Sequence, residues 1–298
     1  RRHTRYISVT GVQTCALPIL ETAEDFGAQG SIPSHPELLD WLAIRFRDSG
    51  WDVKAIQKLM VMSAAYRQSS NVSDSLLKTD PRNVLLARYT RVRMPSYACK
   101  KNALASSGLL VKNVGGKSAY PYQPNSIWDG LVGYAYPAAD KIPPDDQHRR
   151  SLYSFIKRNA PHPAMATFDL PDRGLTVVRR QTSNTPLQAL VLLNDPQYLE
   201  AYRSLATQVL KSEGTQPAQL RKVFRLATRR EPKPGELTPL NAYYDAQLKR
   251  YDGDRKAAAE LLSNGIGTAD PAVDLVRLAA LTNVTAVVMN TPDAYSLR

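Results

Sequence analysis

The sequence predicts a mainly α protein, a helical bundle with a small antiparallel β element and an irregular insertion rich in glycine, proline and aromatic residues. Three observations point there. Apolar residues recur at three-and-four spacing through most of the chain, segments end near Gly or Pro, and the stretch from Asn113 to Pro144 abandons that texture. The expected organisation is a single mainly helical domain over 20–298, helical at 33–111, irregular or β at 112–183 and helical again at 184–298.

The chain has 298 residues, 43% hydrophobic and 22% charged, a balance that argues for a folded core over disorder. No apolar run approaches the roughly 18–20 residues that span a bilayer, so no transmembrane segment is expected. Lys and Arg number 39 against 27 Asp and Glu, a formal charge of +12, which attracts polyanions. The charges are scattered, however, with no recognition helix or zinc-finger spacing, so specific nucleic-acid binding is not the expected function. Two cysteines, Cys15 and Cys99, form neither a disulfide framework nor a CxxC or CxxCH motif. No metal site and no cofactor are therefore expected within this chain.

Residues 1–19, RRHTRYISVTGVQTCALPI, have no helical or strand period and resemble a translated sequencing-library adapter, so they are set aside from the fold. Setting aside Arg1, Arg2 and Arg5 leaves 36 basic residues against 27 acidic ones, or +9, and weakens the polyanion argument. Ser34-His35-Pro36-Glu37 reads as a capping box opening a helix whose stripe is Leu38, Leu39, Trp41, Leu42 and Phe46, stopped by Gly50. Asp52 then caps a second helix with Val53, Ile56, Leu59, Met60 and Ser63 on one face, making a helical hairpin. Asp80-Pro81 is expected to start a short helix through RNVLLARYTRVR, and a further helix runs from Pro95 to about Val111 with Cys99 semi-buried.

The aromatic insertion carries Tyr120, Tyr122, Trp128, Tyr134 and Tyr136, which either line a carbohydrate or peptide groove or staple the loop to the helices. RRSLYSFIKR and the β-branched GLTVVRRQ are expected to pair as a small sheet. Between them His162 stands between two prolines, and Asp169 and Asp172 follow. These three are the candidate acid-base residues. Thr185-Pro186-Leu187-Gln188 is a second capping box, and Arg179 and Arg180 just upstream make that helix start a place for an anion. Arg179, Arg180, Thr185, Trp128 and Tyr122 are thus the candidate ligand-binding residues. Beyond Asp195-Pro196, five amphipathic segments follow, the last being the most apolar and so expected to be the most buried.

Strings such as EDFGAQGSIPSHPELLDWLA, DPRNVLLAR, SGLLVKNVGGKSAYPYQP, RRSLYSFIKRNAPHPAMATFDLPDR and RRQTSNTPLQALVLLNDP resemble a planctomycete-type C-terminal domain of unknown function. It closes multidomain proteins that carry cytochrome c-like domains, a second uncharacterised domain and sometimes a lectin-like sandwich. The resemblance implies a periplasmic, cell-envelope or secreted setting, haem on upstream domains of the same polypeptide, and a redox- or polysaccharide-related context. One departure stands out. The family-like pattern after Arg93 is MPAE-x-x-RDNALAASGLL, whereas this chain reads MPSYACKKN, so that two acidic positions are Tyr97 and Lys101.

Two functions follow as expectations. One is a binding or structural module that holds an acidic or carbohydrate ligand, or docks on upstream domains, through the central segment. The other is a glycan-acting or redox-associated enzyme using His162, Asp169 and Asp172.

Overall fold

A computed structural model describes residues 19–23, 25, 28–123, 136–138, 141–171, 174, 180 and 182–297. Among them the protein is mainly helical, as the periodicity predicts, with one pair of two-residue strands as its only sheet. The chain divides into two compact units, residues 1–93, 173–181 and 296–298 forming unit 1, and residues 94–172 with 182–295 forming unit 2.

Unit 1 begins with α1 (Pro36–Asp48) and α2 (Val53–Val61). Asp52 caps α2 as expected, its carboxylate accepting the Lys54 and Ala55 amides at 3.0 Å each. The capping box before α1 does not form. His35 is the N-cap but its side chain caps no amide, its Nδ1 lying 2.9 Å from Ser34 Oγ, which also reaches the Ile19 carbonyl at 3.2 Å. Placing Pro36 first removes one amide that a cap would otherwise serve, so the helix starts without the box.

The buried stripe is also narrower than expected. Ile19, Leu39, Leu42, Phe46 and Ile56 form the small core, while Leu38, Trp41, Val53 and Leu59 are exposed. Two short helices offer only one seam to each other, which Leu39, Leu42 and Phe46 fill at i, i+3 and i+7. Trp51 closes the turn in the left-handed region, φ 66°, with its ring edge-on to Phe46 at 5.2 Å.

After α3 (Asp74–Thr79), residues 80–91 form turns rather than the expected helix. Asp80 explains the difference. Its carboxylate collects the Val84 and Leu85 amides at 2.8 and 2.9 Å, diverting them from a helical ladder. The unit's sheet pairs β1 (Val92–Arg93) antiparallel with β2 (Ser296–Leu297), Val92 opposite Leu297. This is not the expected pairing. Ser151–Tyr153 is a 3₁₀ turn, and 175–179, within the proposed partner strand, lie outside the described residues.

Unit 2 contains α4 (Ser96–Ser106), α5 (Pro144–Gln147), α6 (Pro163–Thr167), α7 (Pro186–Asn194), α8 (Pro196–Ser212), α9 (Gln216–Thr228), α10 (Pro234–Gly253), α11 (Arg255–Leu262), α12 (Leu275–Met289) and α13 (Pro292–Tyr295). The five segments read beyond Asp195-Pro196 are α8 to α12. As its sequence predicts, α12 is the most buried, and α8, α9, α10 and α11 all pack on it. Leu278 and Leu281 are 0% exposed there. Leu281→Ala is expected to lower the unfolding free energy by about 2–5 kcal/mol, the loss of transfer energy plus a cavity. A urea midpoint that falls at unchanged slope checks it.

Candidate functional site

The central segment contributes to unit 2 mainly as structure. The described part of the aromatic insertion is stapled by its rings: Tyr120 stacks on Phe155 at 4.9 Å and meets Tyr136 edge-on at 5.4 Å, while the Tyr136 hydroxyl donates to the Pro121 carbonyl. Arg149 crosses under this stretch, donating to the Lys117 carbonyl at 2.9 Å and to that of Gly115 at 2.5 Å. Trp128, Asp172 and Arg179 lie outside the described residues.

Asp169 sits in the left-handed region, φ 59°, and its carboxylate accepts both the Ser183 amide at 2.8 Å and the Ser183 hydroxyl at 2.7 Å. It clamps the return of the chain into α7. Thr185 is exposed at the start of α7 and makes no side-chain cap, and Gln188 turns away from a capping box to donate to the Thr167 carbonyl and Ser183 Oγ at 3.0 Å each. Arg180 is exposed.

His162 is held by its ring. It is 2% exposed and its Nε2 lies 2.9 Å from the Tyr122 carbonyl. A carbonyl only accepts, so Nε2 carries the proton and Nδ1 is a bare lone pair, buried with no donor to it. Burial, and then the nearby Lys100 charge, push the imidazole down to about 3, against the opposing pull of the Tyr122 carbonyl. The ring is neutral at any physiological pH and offers an acceptor.

The cation that depresses it is the centre of the site. Lys100, on α4, is 5% exposed and makes no hydrogen bond or ion pair among the described residues. Burial pushes its amine down to about 8, although the charges of Asp195 and Glu200 oppose the shift. Asp195 reaches the site as the N-cap of α8, accepting the Gln197 amide at 2.9 Å, and burial raises its carboxyl despite that bond and the Lys100 charge. Glu200, one turn along α8, accepts the Gly267 amide at 3.0 Å and lies 3.5 Å from His148 Nε2. Burial works against its charge, but the His148 ring and the Gly267 and Ile266 amides outweigh it, so its pKa is lowered.

Tyr198 and Tyr202 share the interior face of α8, and burial pushes both phenols well up. The Tyr202 hydroxyl has no hydrogen-bond partner among the described residues. Cys99, expected to be semi-buried, is fully buried beside them, its Sγ 3.4 Å from the Met94 carbonyl.

The arrangement therefore sets one ammonium, two carboxylates, one neutral imidazole and one phenol inside a helical unit. The Tyr202 hydroxyl and His162 Nδ1 are buried with no hydrogen-bond partner among the described residues. Buried polar groups normally find partners, and each one left without costs about 1–3 kcal/mol. A lysine of pKa about 8 is partly unprotonated near neutrality, so it can donate hydrogen bonds, accept a proton or attack a carbonyl. No group of three or more His, Cys, Asp or Glu side chains able to hold a metal ion occurs among the described residues. Sequence reasoning passed over Lys100, Asp195 and Glu200. Their signal was present as a Lys-Lys pair in a short helix of small and apolar residues with few charges, and an acid four residues after a helix start with a tyrosine on either side.

Comparison with curated proteins gives no match, and comparison with solved structures gives none either. A family model described as PSD1, protein of unknown function (DUF1553), matches residues 13–244, well over half of the chain. The residues matched run from unit 1 through the central segment to α10 and include Lys100, His162, Asp195 and Glu200, and on that match the chain belongs to the DUF1553 family.

Proposed function

We propose that this chain is a binding module that receives a small hydroxylated molecule at the Lys100 cluster of unit 2. A single observation carries the reading: the Tyr202 hydroxyl and the His162 Nδ1 lone pair are buried without hydrogen-bond partners among the described residues, in a unit where the buried Lys100 acts on His162 and is itself drawn to Asp195 and Glu200. A hydroxyl suits this set because it accepts from Lys100 or Tyr202 and donates to His162 Nδ1, whereas a pure anion would leave the imidazole unpaired and face Asp195 and Glu200. The motifs resembling planctomycete-type multidomain chains support an exported, envelope or periplasmic setting and upstream cytochrome c-like domains as partners, with haem on those domains. They also favour a carbohydrate-related ligand.

A thermal-shift panel of monosaccharides, polyols and hydroxy acids tests the reading on the wild type and on Lys100→Met. A ligand at about 100 times its Kd adds about 2.7 kcal/mol to stability, an easily read rise in Tm. Hydroxylated compounds that raise the Tm of the wild type and leave the variant unmoved are the expected result. A panel to which both proteins respond equally, or to which neither responds, removes Lys100 from ligand recognition.

A further inference from the structure

We infer that the solvent side of α1 in unit 1 is an interface for a second copy of this chain, the two helices packing antiparallel about a two-fold axis at Trp41. The inference is independent of the Lys100 reading. At about 3.6 residues per turn, α1 carries two apolar stripes. Leu39, Leu42 and Phe46 fill the seam of the hairpin, while Leu38, Trp41 and Ile44 stand on the other side, 37%, 51% and 47% exposed. A helix that packs by one face needs no second stripe, and adjoining exposed apolar side chains commonly mark a contact surface.

The charges say which partner fits. Glu37 and Arg45 are exposed and lie on the same side as the outer stripe, one in the first turn of α1 and one in its last turn. They are eight residues apart, about 12 Å along the axis, so they do not reach each other within one copy. Neither has an ion-pair or hydrogen-bond partner among the described residues. Asp40 and Arg47 fall on the flank, and Asp48 is held by Arg47 at 2.7 Å.

The spacing is a palindrome centred on Trp41. Leu38 and Ile44 stand three residues before and after it, and Glu37 and Arg45 stand four before and after. When a second α1 runs antiparallel with its Trp41 against the first, Leu38 of each copy meets Ile44 of the other, and Glu37 of each meets Arg45 of the other. A two-fold axis makes every contact twice, so the face is self-complementary, as an interface between identical copies requires. The whole chain carries +12, yet this face offers one charge of each sign, which suits its own copy better than a strongly acidic partner. A single pair of 13-residue helices buries little area, so the dimer is expected to be weak and reversible.

Sedimentation velocity of the full chain, from micromolar to near-millimolar concentration at moderate salt, tests the inference. The wild type is expected to pass from monomer to dimer across that range. Glu37→Arg and Arg45→Glu each set like charges opposite one another at both ends of the helix pair, and each alone is expected to weaken association by about tenfold or more. An equimolar mixture of the two variants is expected to restore association, because one copy then presents two arginines and the other two glutamates. A wild type that stays monomeric throughout leaves the face to a different partner and overturns the inference. So does a dimer indifferent to both reversals, or two variants that remain monomeric when mixed although their circular dichroism melts match the wild type. Trp41→Ala, which keeps both charges, decides the matter if a reversal disturbs the fold: it is expected to abolish association, and a dimer that survives it overturns the inference.

Discussion

Lys100→Met is expected to stabilise the ligand-free protein at pH 7, by about 2 kcal/mol. Bringing the amine from an ordinary 10.5 down to about 8 makes the charged form about 3 kcal/mol less favourable in the fold than in water, with the attraction of Asp195 and Glu200 already included. Methionine has a similar volume and no charge, so most of that penalty disappears against a packing cost of about 1 kcal/mol. The pH dependence changes with it. An unfolded lysine keeps its proton to about pH 10.4, whereas the folded one releases it near 8. Between those values the unfolded state binds more protons, so wild-type stability rises with pH from about 8 to 10, and the variant loses that rise. Above pH 10 the raised Tyr198 and Tyr202 act the other way, because the folded state then holds protons the unfolded chain has released. Urea titrations of both proteins at pH 7, 8, 9 and 10 check sign and window together. A variant that is less stable by several kcal/mol at pH 7 would make Lys100 a structural counter-ion.

Arg203→Met is expected to do the opposite, lowering stability by about 3 kcal/mol or more. Arg203 is also a buried cation on α8, 5% exposed and facing Glu200, but it is fully employed. Its guanidinium donates to the Leu262 and Gly267 carbonyls and, at 2.9 Å, to that of Asn264. Glu200 completes the same clamp through the Gly267 amide. Gly265 sits beneath it at φ 88°, where a Cβ would fall 2.6 Å from Glu200 Cβ, so the loop after α11 is shaped around these two side chains. Hydrogen bonds to a charged group contribute about 1.5–3 kcal/mol each, though three sharing one guanidinium do not add fully. Hydrogen exchange at residues 263–268 of the variant, faster than in the wild type while α12 stays protected, is the expected local signature. The contrast is the argument for function. Two buried cations near one carboxylate differ in that one donates to three carbonyls and the other is held only by the charges of Asp195 and Glu200 among the described residues.

The helical part of the fold was legible because α8, α9 and α11 bury one face each, which writes a 3.6-residue period into the sequence, and because α12 is apolar nearly all round. Residues 80–91 misread as helix because the propensities of VLLAR were weighed without the competing acceptor at Asp80, a local bond that a period count does not see. Trp41 misread as core for a related reason: a hydrophobic residue one position off the seam of a short hairpin stays exposed. The site was half legible. His162 drew notice through its flanking prolines and does belong to the buried cluster, where burial and the Lys100 charge keep its ring neutral. Asp169 turned out to be a clamp on Ser183. Lys100 was obscured because lysines in amphipathic helices normally face water, and nothing in the spacing of α4 marks which of Lys100 and Lys101 turns inward. Burial, not sequence pattern, distinguishes them.

Direct titration of the Lys100 amine, by NMR of its ¹³Cε resonance in labelled protein with Lys100→Met for assignment, reads the central claim without a ligand in hand. A midpoint near 8, moving when a bound hydroxylated compound supplies the amine with an acceptor, is the predicted result. A midpoint near 10.5, as for a solvated surface lysine, contradicts it.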